Sequence, residues 1–146
     1  MNAPQTPQTQ DAADFARLAA LERLRILDSL PEQAYEDLVL LASTLCGTPI
    51  ALVSLIDHDR QWFKAHLGLD SLELPRSVAF CDHAIRRPDE VMVVEDARLD
   101  ARFVNNPLVT DAPHIRFYAG APLVTREGVA LGTICVIGDS PHRLTP

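Results

Sequence analysis

The chain has 146 residues, with 20 acidic against 13 basic side chains and a formal charge of −7, a length that suits one domain able to bury about two thirds of its unfolded surface. The acidic balance excludes a nucleic-acid face, which needs clustered lysine and arginine, and no apolar run approaches the roughly 18 residues of a membrane span. Three cysteines, Cys46, Cys81 and Cys135, sit in apolar surroundings; an odd number without a secretory signal is the usage of a reducing compartment, so the protein is read as cytoplasmic.

Residues 1–13, opening MNAPQTPQTQ, are polar and lack the apolar core of a targeting peptide; they are read as a disordered tail ahead of a single domain at 14–146. Over 14–28, Phe15, Leu18, Leu21, Leu24 and Leu27 recur every third position among charged residues, which predicts a helix with a wide apolar face. Two readings of that face stand open: it covers the domain's own sheet, or it pairs with a second copy of itself in a homodimer. Pro31 suits the first turn of a second helix, Glu32, Glu36 and Asp37 its positive end, and Gly47 the position just past its C-terminus. Tyr35, Leu38, Leu41, Ala42 and Leu45 form its expected buried stripe.

Residues 50–56 and 61–67 read as a hairpin around the polar turn 57–60. In its second arm Trp62, Lys64 and His66 oppose Phe63, Ala65 and Leu67, which predicts one partly exposed face carrying Trp62 and His66. Residues 68–75 read as loop. A short helix follows from Ser77, a suitable N-cap, to Arg86, with Val78, Cys81 and Ile85 on one stripe and Asp82 paired to Arg86; Pro88 stops it. A short strand at 91–95 leads into a long polar connection, 96–113, with Phe103 and Asn105-Asn106-Pro107 inside it and room for one helical turn. The clearest sheet signal is last: 116–124 and 129–137 around the turn 125–128. Phe117, Ala119, Ala121 and Leu123 alternate with Arg116, Tyr118 and Gly120, while the second arm is apolar almost throughout and so expects cover on both faces. Helix, helix, hairpin, short helix, strand, loop, hairpin make an α+β domain with about five mostly antiparallel strands.

Several stretches then carry a resemblance: ILDSLPEQAYEDLVLLA, ALVSLIDHDRQWFKAHLGL, FCDHAI, HIRFYAGAPL and LGTICVI. Together they resemble a GAF domain, of the subgroup found as sensory modules in bacterial histidine kinases and diguanylate cyclases, over about 17–144. The resemblance implies a PAS-related central antiparallel sheet of five to six strands, helices on one face, and a small-molecule cavity on the other under the short helix and the long loop. It implies a non-catalytic module without a cofactor that signals through terminal helices, often as a dimer, to an output domain of kinase or cyclase type. Two departures stand out. Relatives commonly end the last strand Cys-Val-Ile-Asp, where this chain has Gly138 after Ile137, and this is expected to loosen the strand exit. The family continues into a C-terminal helix, of which this chain carries only Leu144-Thr145-Pro146, so either a truncated piece of a longer protein or a shortened stand-alone relative is expected.

For the cavity, Phe80, Cys81, His83, Arg102, Phe103, Arg116 and Tyr118 are the expected ligand-binding or gating residues. Arg116 and Tyr118 share a strand face and would offer a cation and a hydroxyl to an anion or amide; the alternative is that Arg116 neutralises a carboxylate and Tyr118 is ordinary core. Cys81-Asp82-His83 also invites sharper chemistry. A zinc site needs about four ligands and finds only Cys135 as a third, and His83, two residues on along a helix, is poorly aimed to activate Cys81. Bilin-binding relatives attach pigment at a cysteine followed at once by histidine, where this chain has Asp82, and the Asn-Lys-Phe-Asp-Glu signature of the cyclic-nucleotide subgroup is absent. The remaining alternatives are a cysteine-based redox sensor or an enzyme like the free methionine sulfoxide reductases, whose cysteine pattern is not evident here, and a ligand-free dimeriser built on Phe15, Leu18, Leu21 and Leu24. Adjacent Cys81 and Cys135 would make a redox pair, though apolar neighbours predict raised thiol pKa values.

Overall fold

The computed structural model describes residues 7–144. In chain order it runs α1 (Pro7–Leu24), α2 (Gln33–Cys46), β1 (Ile50–Ile56), β2 (Arg60–Leu67), β3 (Glu73–Pro75), α3 (Phe80–Ala84), β4 (Met92–Val94), α4 (Pro107–Thr110), β5 (Phe117–Val124) and β6 (Ala130–Gly138). The strands form one antiparallel sheet in the order β3-β2-β1-β6-β5-β4. Fold class is as the sequence predicts, with six strands because Glu73–Pro75 pairs with Arg60–Trp62 instead of remaining loop.

Strand alternation divides the core. Ala51, Val53, Ala65, Phe117, Ala119 and Val136 pack beneath Val39 of α2, with Tyr35, Ala42 and Cys46 beside it. The opposite face carries Ile50, Leu52, Ile56, Tyr118, Cys135 and Ile137 and is covered by α3 and the long connection through Phe80, Phe103 and Val109. β5 therefore works as its pattern predicts: Phe117 and Ala119 face the helices, Tyr118 the other side. Both faces of β6 are covered.

Four expectations are corrected. The buried stripe of α2 is Tyr35, Val39, Ala42 and Cys46, four and three residues apart, while Leu38, Leu41 and Leu45 are exposed. The arm 61–67 does not alternate as a plain strand. Val53 pairs with Ala65 but Ser54 with Phe63, so Lys64 is a bulge and the faces swap across it. Phe63 joins the cavity-side cluster and Ala65 the helix side, Trp62 is buried against Leu21 and Leu55 instead of exposed, and Lys64 is buried with Nζ on Ser29 Oγ, Leu30 O and Glu32. The strand exit at Gly138 is not loosened: Gly138 pairs with Phe117 and its carbonyl accepts from the Arg116 N–H at 2.9 Å. Ser77 caps nothing, because it lies inside a 3-10 turn at Arg76–Val78 and α3 begins only at Phe80.

At the N-terminus, α1 starts at Pro7, so the expected tail enters the helix and of that tail 1–6 lie outside the described residues, as do Thr145 and Pro146 of the expected helix start at the other end. It ends at Leu24, before Arg25 takes φ 50°. The proposed dimer seam does not share one face, since residues three apart drift by about 60° around a helix. Leu21 is buried against Leu55 and Trp62, Leu18 is half-buried, and Phe15 and Leu24 are exposed. Arg17 fixes α1 to the sheet, donating from Nε to the Ile56 carbonyl at 2.8 Å and pairing with Asp14.

α4 is the helical turn anticipated in the long connection. Asn106 caps it, accepting from the Leu108 N–H at 2.8 Å, and donates from Nδ2 to the Val78 carbonyl at 3.1 Å. Asn106→Ala is expected to cost about 1 kcal/mol for the lost cap, and Asn106→Asp, which keeps the acceptor and loses the donor, less; urea unfolding of the three proteins checks the order.

Candidate functional cavity

The cavity lies between the sheet and its non-helical cover, with a volume of about 420 Å³. Its floor is Ile50, Leu52, Ile137 and Tyr118; its walls are the loop 68–71 with Leu74, the start of α3 at Phe80, and Leu108, Pro113 and Ile115 from the end of the long connection. The loop is held to β2 where Phe63 N–H donates to the Leu72 carbonyl at 3.0 Å. Gln61, Asp70, Ser71 and Tyr118 supply the only side-chain polar groups among the lining residues. An apolar chamber with a few placed polar groups is the form of a small-molecule site, and the volume falls in the usual range of about 300–1,000 Å³.

The seven residues expected here fall in different places. Phe80 and Tyr118 line the cavity, with ring centroids 5.3 Å apart. Phe103 lies one layer behind: it is fully buried and stacks on Phe80 at 4.0 Å with a 5° interplanar angle. The Arg102 guanidinium sits 5.1 Å from the Phe103 ring and pairs with Asp100 at 2.8 Å. His83 meets the Phe103 ring edge-on and borders a separate surface cleft shared with Arg86, Arg87, Glu90 and Arg102. Burial, with Arg86 adding to it, pushes the His83 imidazole below its ordinary pKa. Arg116 does not join Tyr118, because it donates to the carbonyls of Val109 at 2.8 Å and Ile115 at 3.2 Å and so secures the long connection.

Cys81 lies behind the cavity wall in a buried polar group. Its sulfur receives the Gln61 Nε2–H at 3.1 Å and stands 3.1 Å from Tyr118 Oη, 3.0 Å from Thr133 Oγ1 and 4.0 Å from Cys135 Sγ. Gln61 Nε2 also donates to Ser54 Oγ at 2.7 Å. Burial pushes the Cys81 thiol up, but hydrogen bonds from Cys135, Ser54, Thr133 and Tyr118 together outweigh it and bring the pKa down to about 7. Cys135 is pushed up, first by its hydrogen bond to Cys81 and then by burial, and Tyr118 is pushed up chiefly by burial. The expected apolar surroundings of Cys81 are thus corrected, since hydroxyls and an amide reach its sulfur. Gln61, Ser54 and Thr133 were the residues missed: the bulge at Lys64 turns Gln61 inward, whereas Ser54 alternates onto the face of Leu52 and Ile56 and Thr133 onto that of Cys135 and Ile137, so strand period was the signal that could have found those two.

Among the described residues, no group of three or more His, Cys, Asp or Glu side chains is placed to hold a metal ion, and no helix is long and apolar enough to cross a membrane. A third grouping joins α3 to α1. Arg76 pairs with Asp82 of α3 at 2.9 Å and with Asp14 of α1 at 3.0 Å, and it donates to the His58 carbonyl.

A six-stranded antiparallel sheet with helices on one face and a largely apolar cavity on the other defines a class of α+β modules. Within that class the chain belongs to the GAF family, whose domain model matches residues 30–146. It is 45% identical over 129 residues to a cyclic di-GMP phosphodiesterase of Pseudomonas aeruginosa, covering 88% of this chain and 22% of that protein, so the chain spans about a fifth of that relative's length. Among solved structures, the GAF domain of a phosphoenolpyruvate-protein phosphotransferase from Coxiella burnetii superposes with TM-score 0.62 at 17% identity, over 92% of this chain and 82% of that one. The type II free methionine-R-sulfoxide reductase of Thermoplasma acidophilum superposes with TM-score 0.58 at 11% identity, over 91% and 82%. At such identities these likenesses show the fold alone.

Proposed function

We propose that this domain is a non-catalytic sensor that binds a small, mainly apolar molecule in the cavity above Leu52 and Tyr118, and that it regulates an output domain acting on cyclic di-GMP in the cytoplasm. The observation that carries the first half is the cavity of about 420 Å³ with its largely apolar lining. The similarity to a cyclic di-GMP phosphodiesterase supports the second half, and of the two output types expected on the resemblance, histidine kinase and diguanylate cyclase, it favours an output concerned with that messenger, through its breakdown. Gln61 and Tyr118 at the back and Asp70 and Ser71 on the loop suit a ligand with one polar group at each end.

The test is extraction of the purified chain under denaturing conditions with mass spectrometry of what is released, alongside a melting-temperature screen of small amphipathic compounds. A stoichiometric compound, or one that raises the Tm, is expected for the wild type and not for Leu69→Trp, which fills the cavity at a half-buried wall position and costs about 1–3 kcal/mol by overpacking. Identical results for the two proteins would overturn ligand binding, and turnover of free methionine sulfoxide by the purified chain would overturn the non-catalytic reading.

A further inference from the structure

Cys81 on α3 and Cys135 on β6 are 54 residues apart in sequence, yet their sulfurs stand 4.0 Å from each other with both residues about 1% exposed. Nothing in ligand binding requires this. A small buried thiol is ordinarily satisfied by apolar packing, whereas here Gln61, Thr133 and Tyr118 all reach one sulfur. Two of those three, Gln61 and Tyr118, also line the cavity. One layer of side chain therefore separates the sulfur from a chamber that is large for a peroxide.

We propose that Cys81 and Cys135 are a reversible redox pair, closed to an intramolecular disulfide by a small hydroperoxide that reaches Cys81 through the cavity. The Cys81 thiolate attacks the terminal peroxide oxygen; the O–O bond breaks, Cys81 becomes a sulfenic acid, and the departing hydroxide or alkoxide is protonated by solvent. Cys135 sulfur then attacks Cys81 sulfur, the S–O bond breaks, and the hydroxyl leaves as water with the Cys135 proton. In sum, two thiols and one hydroperoxide give one disulfide, one water and one alcohol (a second water for hydrogen peroxide itself), two electrons passing from sulfur to the O–O bond. A dithiol reductant reverses the change. The donors gathered on Cys81 favour it as the attacking thiolate, and the pKa directions of the pair assign the resolving role to Cys135.

Closure has a mechanical result. The sulfurs must approach from 4.0 Å to about 2.05 Å, which draws the start of α3 toward β6. Phe80, the preceding residue, is a cavity wall, and Asp82, the following one, is held by Arg76, which also holds Asp14 of α1. Oxidation would thus alter both the chamber and the anchoring of the N-terminal helix. The inference does not depend on the cavity holding a ligand.

The experiment treats the reduced full chain with hydrogen peroxide, alkylates under denaturing conditions, and maps peptides without reductant. A Cys81–Cys135 cross-linked pair, two hydrogens lighter than the thiols and restored by dithiothreitol, is expected in wild type and in Cys46→Ser. Its rate of formation should rise about tenfold per pH unit below pH 7 and level off above, following the Cys81 thiolate. Cys135→Ser should accumulate a sulfenic acid on Cys81 that dimedone traps, and Cys81→Ser should leave Cys135 reduced; circular dichroism confirms that each variant is folded. Full alkylation of both cysteines after a peroxide dose that oxidises the half-buried Cys46, or disulfides formed only through Cys46, would overturn the proposal.

Discussion

Gly132→Ala is expected to destabilise the domain by about 3 kcal/mol, the upper part of the usual overpacking range, and to lower the Tm by roughly 10 °C at this chain length. Gly132 lies in β6 opposite Leu55 of β1. A methyl group built on it would overlap the Ser54 carbonyl oxygen and approach Leu55 Cα to 2.7 Å. These are backbone atoms of the neighbouring strand, so no rotamer change relieves the overlap. The β1–β6 pair must open at the strand positions that carry Ser54 and Thr133, and the buried polar group around Cys81 is displaced with it. Gly128 is the control. It occupies φ +86° in the 125–128 turn with open space where a Cβ would go, so Gly128→Ala meets backbone strain without a clash and should cost about 1 kcal/mol. Thermal unfolding of the two variants separates close approach from turn conformation: equal losses would mean that the β1–β6 spacing is not the constraint.

That constraint was not readable in Leu-Gly-Thr, and the reason applies more widely. The hairpin 116–137 was legible because Phe117 and Ala119 alternate with Tyr118 in a strand whose two faces meet different covers, so period alone sorted them. In α2 period could not decide, since Leu38, Val39, Leu40 and Leu41 are apolar around most of the helix. The sheet took Val39 and left the leucines exposed. Across β2 a single unpaired residue, Lys64, inverted the face of everything before it, and a bulge of this kind is set by partner register, not by local sequence. The site divides along the same line. Phe80 and Tyr118 were legible as the aromatic that opens FCDHAI and the polar alternate of a clear strand. Gln61 was not, because its inward direction depends on the bulge, and the approach of Cys81 to Cys135 depends on where a five-residue helix settles on the sheet.

Phe103→Ala is expected to cost about 3–5 kcal/mol, the range for deleting a buried aromatic, with the loss seen as a fall in urea midpoint at unchanged slope. The ring is fully buried, with Phe80 stacked at 4.0 Å, the His83 ring edge-on at 5.0 Å and the Arg102 guanidinium 5.1 Å away. Removing it leaves a void that Phe80, held on α3, fills only in part. The prediction separates two roles the sequence left together. A residue touching the ligand would, on truncation, weaken binding with little change in stability; Phe103 touches the back of Phe80, so stability falls first and binding follows through the wall. Phe80→Leu gives the complementary case: it keeps an apolar side chain against Phe103 but reshapes the chamber. It is expected to lose about 1–2 kcal/mol of stability and at least tenfold in affinity for any compound the wild type retains. If instead Phe103→Ala leaves the unfolding midpoint unchanged and abolishes retention of that compound, the long connection supplies the ligand contact and the layering of Phe103 behind Phe80 is wrong.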